Sequence, residues 1–149
     1  MRELVFALEF RGKAAAVPGT DGKREAETTA SGMTLATFLG GDWLRARLRP
    51  IGGGEIASLQ AAVQRFEDGT FVEAGTIDYG AAGGMSFQTI GRGWVAPGPA
   101  PGSMAGGVLW RVTGGDGEFA GVGGLITSNF TVSADGDVID HHLARIYLP

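Results

Sequence analysis

The sequence predicts an all-β fold, a closed antiparallel barrel of about eight strands, and three observations carry that expectation. Short runs of alternating apolar and polar residues recur along the chain, the period of a strand with one buried face. The 27 glycines and 6 prolines fall between these runs, where turns are needed. Helical periodicity is nearly absent. An antiparallel sheet of this size removes its edge-pairing liability most completely by closing on itself.

The runs read in order as Leu4–Arg11, a stretch within Arg24–Phe38, Trp43–Arg49, Ile56–Phe66, Phe71–Tyr79, Met85–Val95, Gly107–Thr113, Phe119–Val132 and Val138–Leu148. In Ile56–Phe66, Leu59, Ala62, Val63 and Phe66 also fit one helical face, so strand and helix both remain open there. Turns are marked by Asp before Gly at Asp68-Gly69, Asp116-Gly117 and Asp135-Gly136, where left-handed backbone is cheap. Ala96–Gly106 holds Pro97, Pro99 and Pro101, which donate no ladder bonds, and reads as a long loop at a barrel mouth. The 149 residues have the size of one domain, 1–149, able to bury a core without staples.

Composition excludes several function classes. Without cysteine there is no disulfide, thiolate nucleophile or Cys-ligated zinc. The adjacent His141 and His142 leave opposite faces of a strand and cannot share a metal, so no metal site is expected. A net charge of −4 argues against a nucleic-acid partner, and Arg45, Arg47 and Arg49 alternate with apolar residues along an apparent strand. No window approaches the about 20 apolar residues of a membrane helix. The N-terminal run is interrupted by Glu9 and Arg11 and lacks a cleavage site, so it reads as a strand rather than a secretory signal, and the expected compartment is the cytoplasm.

The Gly-rich run Gly114 to Gly121 fits neither a dinucleotide nor a P-loop spacing, and no helix follows it. It reads as a tight turn into a Gly-bearing strand at a barrel corner. The surrounding VTGGDGEFAGVGGLITS resembles the GG-x-G-x-F-x-G-x-x-G segment of the allene oxide cyclase and dirigent-like barrels. Near the N-terminus, Glu9 followed by Pro18 is similar to the catalytic Glu and later Pro of the cyclases; where they carry Asn two residues after the Glu, this chain has Arg11. The resemblance implies the small closed barrel and a cavity for a hydrophobic substrate, with Glu9 as a catalytic group.

Independently of the family, Glu9 interrupts a strand whose other face is Leu4, Phe6, Leu8 and Phe10. Two orientations are open. If the Leu/Phe face fills the barrel, Glu9 is a solvent-facing charge. If Val5, Ala7, Glu9 and Arg11 point inward, Glu9 is a carboxylate in a partly apolar cavity, raised in pKa by burial, lowered by Arg11, and fit for acid/base work. The apolar stripe would then lie outside and need an oligomeric partner, a dimer or trimer.

Other candidates follow the same two-face logic. His142 shares a face with Asp140, and His141 with Leu143 and Arg145; one histidine should point inward. Asn129 lies with Thr127 and Thr131, opposite Ile126, Ser128 and Phe130, and from inside it would donate to a substrate oxygen. Trp94 and Trp110 are core filling or ligand wall. These residues support one expected function, cofactor-independent cyclisation or isomerisation of a small hydrophobic substrate, with Glu9 and His142 catalytic and Arg11, Trp94, Trp110, Asn129 and Arg145 contacting it. A non-catalytic barrel that binds a small hydrophobic ligand is the alternative.

Overall fold

Eleven strands account for most of the chain in a computed structural model that describes residues 1–41, 43–50 and 54–149. They are β1 (Arg2–Ala16), β2 (Lys23–Ser31), β3 (Met33–Leu39), β4 (Leu44–Pro50), β5 (Ile56–Arg65), β6 (Thr70–Asp78), β7 (Gly84–Thr89), β8 (Gly93–Pro97), β9 (Met104–Gly115), β10 (Gly123–Val132) and β11 (Asp137–Leu148). All pairings are antiparallel. Going round, β1, β2, β5, β6, β7, β9, β10 and β11 return to β1, so the sheet closes as an eight-stranded barrel. No helix among the described residues is long and apolar enough to cross a membrane.

One stave of the barrel is split. β7 fills the place between β6 and β9 along part of their length, and β8 takes it over beyond Ile90–Arg92, pairing Thr70 with Trp94 and Trp94 with Gly107. The single run expected over Met85–Val95 is therefore two strands. The Arg24–Phe38 stretch likewise divides, at Gly32, between β2 in the barrel wall and β3, which forms with β4 a hairpin outside the barrel. Ile56–Phe66 resolves as strand: Ala57, Leu59 and Ala61 are buried, Ile56, Ser58 and Gln60 exposed, a period of two rather than of a helix.

The turns follow their residues. Asp68 accepts from the Thr70 amide at 2.9 Å while Gly69 takes φ +80°, the Asx turn that Asp-Gly favours. At Gly117, φ is +57° and an added Cβ would sit 2.6 Å from the Ala82 carbonyl oxygen, so this corner of the Gly-rich run requires glycine twice over. The same run buries Phe119. The proline segment is a loop only over 98–103, since Pro97 pairs with Met104 at the barrel rim.

Closure decides which faces turn inward. Phe10 is fully buried, with Leu4, Phe6 and Leu8 packed against the core, so the Leu/Phe face of β1 fills the barrel. Burying a side chain of that size stabilises the fold by about 1.5–3 kcal/mol, which no outward arrangement of the same stripe would supply. One end of the barrel is solid with Ile77, Met85, Phe119, Val122, Ile146 and Leu148. The other end is not filled.

Candidate functional site

At the open end the inward side chains leave a cavity of about 250 Å³. Most of its wall is apolar, from Ala26, Leu59, Val63, Phe71, Met104 and Phe130, and the 98–103 loop and the Ser133–Gly136 turn stand at its mouth through Gly102 and Ala134. Arg24, Arg65 and Ser133 lie toward the mouth, and further in, four polar residues interrupt the wall: Thr28 on β2, Glu73 on β6, and Ser128 and Asp140 on β10 and β11. Each lies in the inward register of its strand, so closure brings them together from opposite sides.

Asp140 is fixed by two residues. Ser128 donates its hydroxyl to the carboxylate, 2.8 and 2.9 Å from its two oxygens, and His142 Nε2 lies 2.9 Å from Oδ2. His142 itself sits behind the cavity wall, its ring 4.4 Å from that of Phe10 and edge-on to Trp110 at 4.9 Å, with side-chain exposure of 2%. Among the described residues its Nδ1 has no hydrogen-bond partner, nor has Thr28 Oγ1 on the wall. Asp140 and His142 leave the same face of one strand about 7 Å apart. Their bond therefore follows from the rotamers that packing against Phe10 and Trp110 imposes.

Across the cavity, Glu73 accepts a hydrogen bond from Trp110 Nε1 at 2.8 Å, and Trp110 is held in turn by stacking on Phe87 at 4.1 Å. The Glu73 backbone is clamped by Thr89, whose Oγ1 accepts from its amide at 2.8 Å and donates to its carbonyl at 3.0 Å. Burial raises the Glu73 carboxyl from 4.5 to about 7; the Trp110 N–H opposes this shift and the negative charge of Asp140 adds to it. A carboxyl poised there holds or releases a proton near neutral pH, the property a general acid/base requires.

The residues named from sequence divide between the two sides of the wall. Trp110 lines the cavity and His142 supports it. Glu9 points outward, because the Leu/Phe face of β1 took the interior; its carboxylate meets Arg11 at 2.7 Å and His141 at 2.9 Å. Desolvation pushes the Glu9 carboxyl up, but the hydrogen bonds and charges of Arg11 and His141 outweigh it and hold the group below its usual range. Arg11, Asn129 and Arg145 are exposed on that same outer surface, and Trp94 is 58% exposed on β8, so none of them reaches the cavity. Glu9, Asn129 and His141 instead border an open groove between the barrel and the β3–β4 hairpin, together with Leu35 and Arg47. No group of three His, Asp or Glu side chains able to hold a metal occurs among the described residues.

Glu73 was not singled out from the sequence, yet its signal is present: in TFVEAGTID it shares a period-two face with Phe71 and Ile77, a carboxylate on an otherwise apolar face. Together these features define a barrel closed at one end, with a mostly apolar pocket at the other and two carboxylates on its wall. Comparison with known proteins adds no family: no family model, no curated protein and no solved structure matches the chain.

Proposed function

We propose that the protein catalyses a cofactor-independent proton transfer, the core step of an isomerisation or cyclisation, on a small hydrophobic molecule held in the open end of the barrel. The observation that carries this reading is Glu73, a carboxyl poised near pH 7 on the wall of an apolar cavity and held by Trp110. In the ionised form it takes a proton from one substrate atom, and in the acid form it returns the proton to another, so the enzyme is unchanged after one turnover. Asp140, tied to Ser128 and His142, keeps its place across the cavity and disfavours charge on Glu73, while the aromatic and aliphatic wall excludes water. His142 acts as a positioning residue through Asp140, and Glu9 has no part in the chemistry.

The same apolar wall favours the second reading, a carrier that binds the molecule and does nothing to it. The two separate at one substitution. After a ligand is found by thermal-shift screening, Glu73→Gln is expected to retain binding and to lower turnover by about 10²-fold or more. Undiminished turnover in that variant would end the catalytic assignment of Glu73. No turnover of any ligand by the wild type would leave the carrier.

The reading includes a cytoplasmic setting, compatible with a chain free of cysteine, and a homo-oligomer, dimer or trimer. The β1 stripe does not call for a partner, being inside. Support for self-association comes from Leu35, Phe38, Leu39 and Leu44 of the hairpin arm and from Val5 and Leu143 on the outer wall, each more than half exposed or at that mark.

A further inference from the structure

Two arginines stand inside the mouth of the cavity, and nothing in the mechanism above uses them. Arg24 on β2 and Arg65 on β5 both line the pocket. Their strands are neighbours: Arg24 pairs directly with Val63, and Arg65 follows two residues later on the same face, so the two are diagonal neighbours. Both are half-buried, and neither guanidinium makes an ion pair or side-chain hydrogen bond among the described residues. Acidic side chains outnumber basic ones in this chain, 16 to 12, yet none among the described residues is spent on this pair. Two unpaired cations side by side at the edge of an apolar pocket repel each other, and their planar donor forks match an oxyanion.

The deeper wall has the opposite character. Glu73 and Asp140 present carboxyl oxygens, and these accept hydrogen bonds rather than attract anions. A molecule in the cavity therefore meets cationic donors at the mouth, apolar and aromatic surface from Phe71, Phe130 and Val63 along its length, and acceptors at its inner end.

We propose that the ligand is a small hydroxy-substituted carboxylic acid with an aromatic or alicyclic body, its carboxylate seated on Arg24 and Arg65 and its hydroxyl directed at the inner carboxyls. This rests on the barrel cavity being the ligand site and adds to it the chemical class and the orientation. The orientation places the donor group against Glu73, where proton transfer is available. A simple amine is disfavoured because it enters past two cations, and a plain hydrocarbon leaves both ends of the pocket unanswered.

Three fluorescent probes of one skeleton test this: hydroxynaphthoic acid with its hydroxyl distal to the carboxylate, naphthoic acid and naphthol, each titrated onto the full chain. The hydroxy acid is expected to bind most tightly, and naphthol more weakly by about tenfold or more. Arg24→Gln and Arg65→Gln should each weaken the two acids by about tenfold while leaving naphthol nearly unchanged. Ala61→Leu, which fills space in the cavity wall, should weaken all three. If naphthol binds as tightly as the acids, or the arginine variants leave the acids unaffected, while Ala61→Leu still weakens every probe, the anion seat is wrong and the cavity reading survives. If no probe binds the wild type, or Ala61→Leu changes none of them, both fall together. Should a Gln variant fail to fold, the acid-to-naphthol ratio of the wild type decides: it falls with rising salt if the arginines hold the carboxylate, and a ratio insensitive to salt overturns the assignment.

Discussion

Replacing Glu73 by glutamine should make the protein more stable at neutral and alkaline pH, the reverse of what removing a polar group from a folded wall ordinarily does. The folded state holds the Glu73 proton up to about pH 7, whereas the unfolded chain releases it near the ordinary value of 4.5. Between these values the folded state binds more protons, so the stability contributed by this residue is greatest below about pH 4.5 and is lost as pH rises through 7. A shift of this size corresponds to about 3 kcal/mol. Glutamine has no charge to bury, and its side-chain oxygen still accepts from Trp110 Nε1. Unfolding of wild type and Glu73→Gln followed from about pH 4 to pH 9 should give curves that coincide at the acid end and separate steadily through neutrality. The variant should be ahead by about 3 kcal/mol, or about 10 °C in Tm, above pH 8. Taking the difference between the two proteins cancels the carboxylates that do not interact with Glu73, Asp140 being the one whose charge acts on it. A difference that stays flat with pH, or that turns in favour of the wild type as pH rises, would refute the burial of an ionisable group at this position. Paired with lost turnover, the gain would mark Glu73 as a residue kept for function at a cost in stability.

Two further substitutions separate the inner from the outer cluster. Trp110→Phe removes the hydrogen bond that restrains the Glu73 shift, so in that background the stability gap that Glu73→Gln creates should still open near pH 4.5 but level off at a higher pH and a larger value; an unchanged plateau would show that the indole N–H does not reach the carboxyl in solution. Glu9→Gln breaks an exposed arrangement with Arg11 and His141 and should cost at most about 1 kcal/mol at neutral pH. Because the folded-state pKa of Glu9 is lowered, that cost should disappear as pH falls below the usual carboxylate range, and titrations of cavity ligands should not change. A loss of ligand binding in Glu9→Gln would return the outer residue to the site.

Much of the wall was legible along the chain. Alternation in Leu4 to Phe10 and in Leu125 to Val132 gives strands and groups the side chains correctly by face, because the period of two is a local property of extended backbone. Asp-Gly at 68–69, 116–117 and 135–136 gives turns for an equally local reason, as left-handed φ costs glycine little. Where the local signal was mixed, as in Ile56–Phe66, pairing with β2 and β6 settled it, since two neighbouring ladders satisfy the backbone and a helix would open the barrel.

What alternation leaves open is its sign. It places Glu9 opposite Phe10, and His141 opposite His142, but not which of each pair is inside, because reversing a strand's two faces leaves its pattern intact. Closure made the choice by burying the bulkier apolar face of β1, which sent Glu9, Arg11, Asn129 and Arg145 outward and Trp110, Asp140 and His142 inward. The cavity is a still less local feature: Glu73 on β6 and Asp140 on β11 are not neighbours in sequence or in sheet order. Only a closed barrel sets them across one largely apolar space. The sequence by itself therefore determined most of the strands, though not where the Arg24–Phe38 and Met85–Val95 runs divide, together with the Asp-Gly turns and the membership of each face. The tertiary structure decided which face is interior, and so which carboxyl is charged and paired at the surface and which is buried with its proton held near neutral pH.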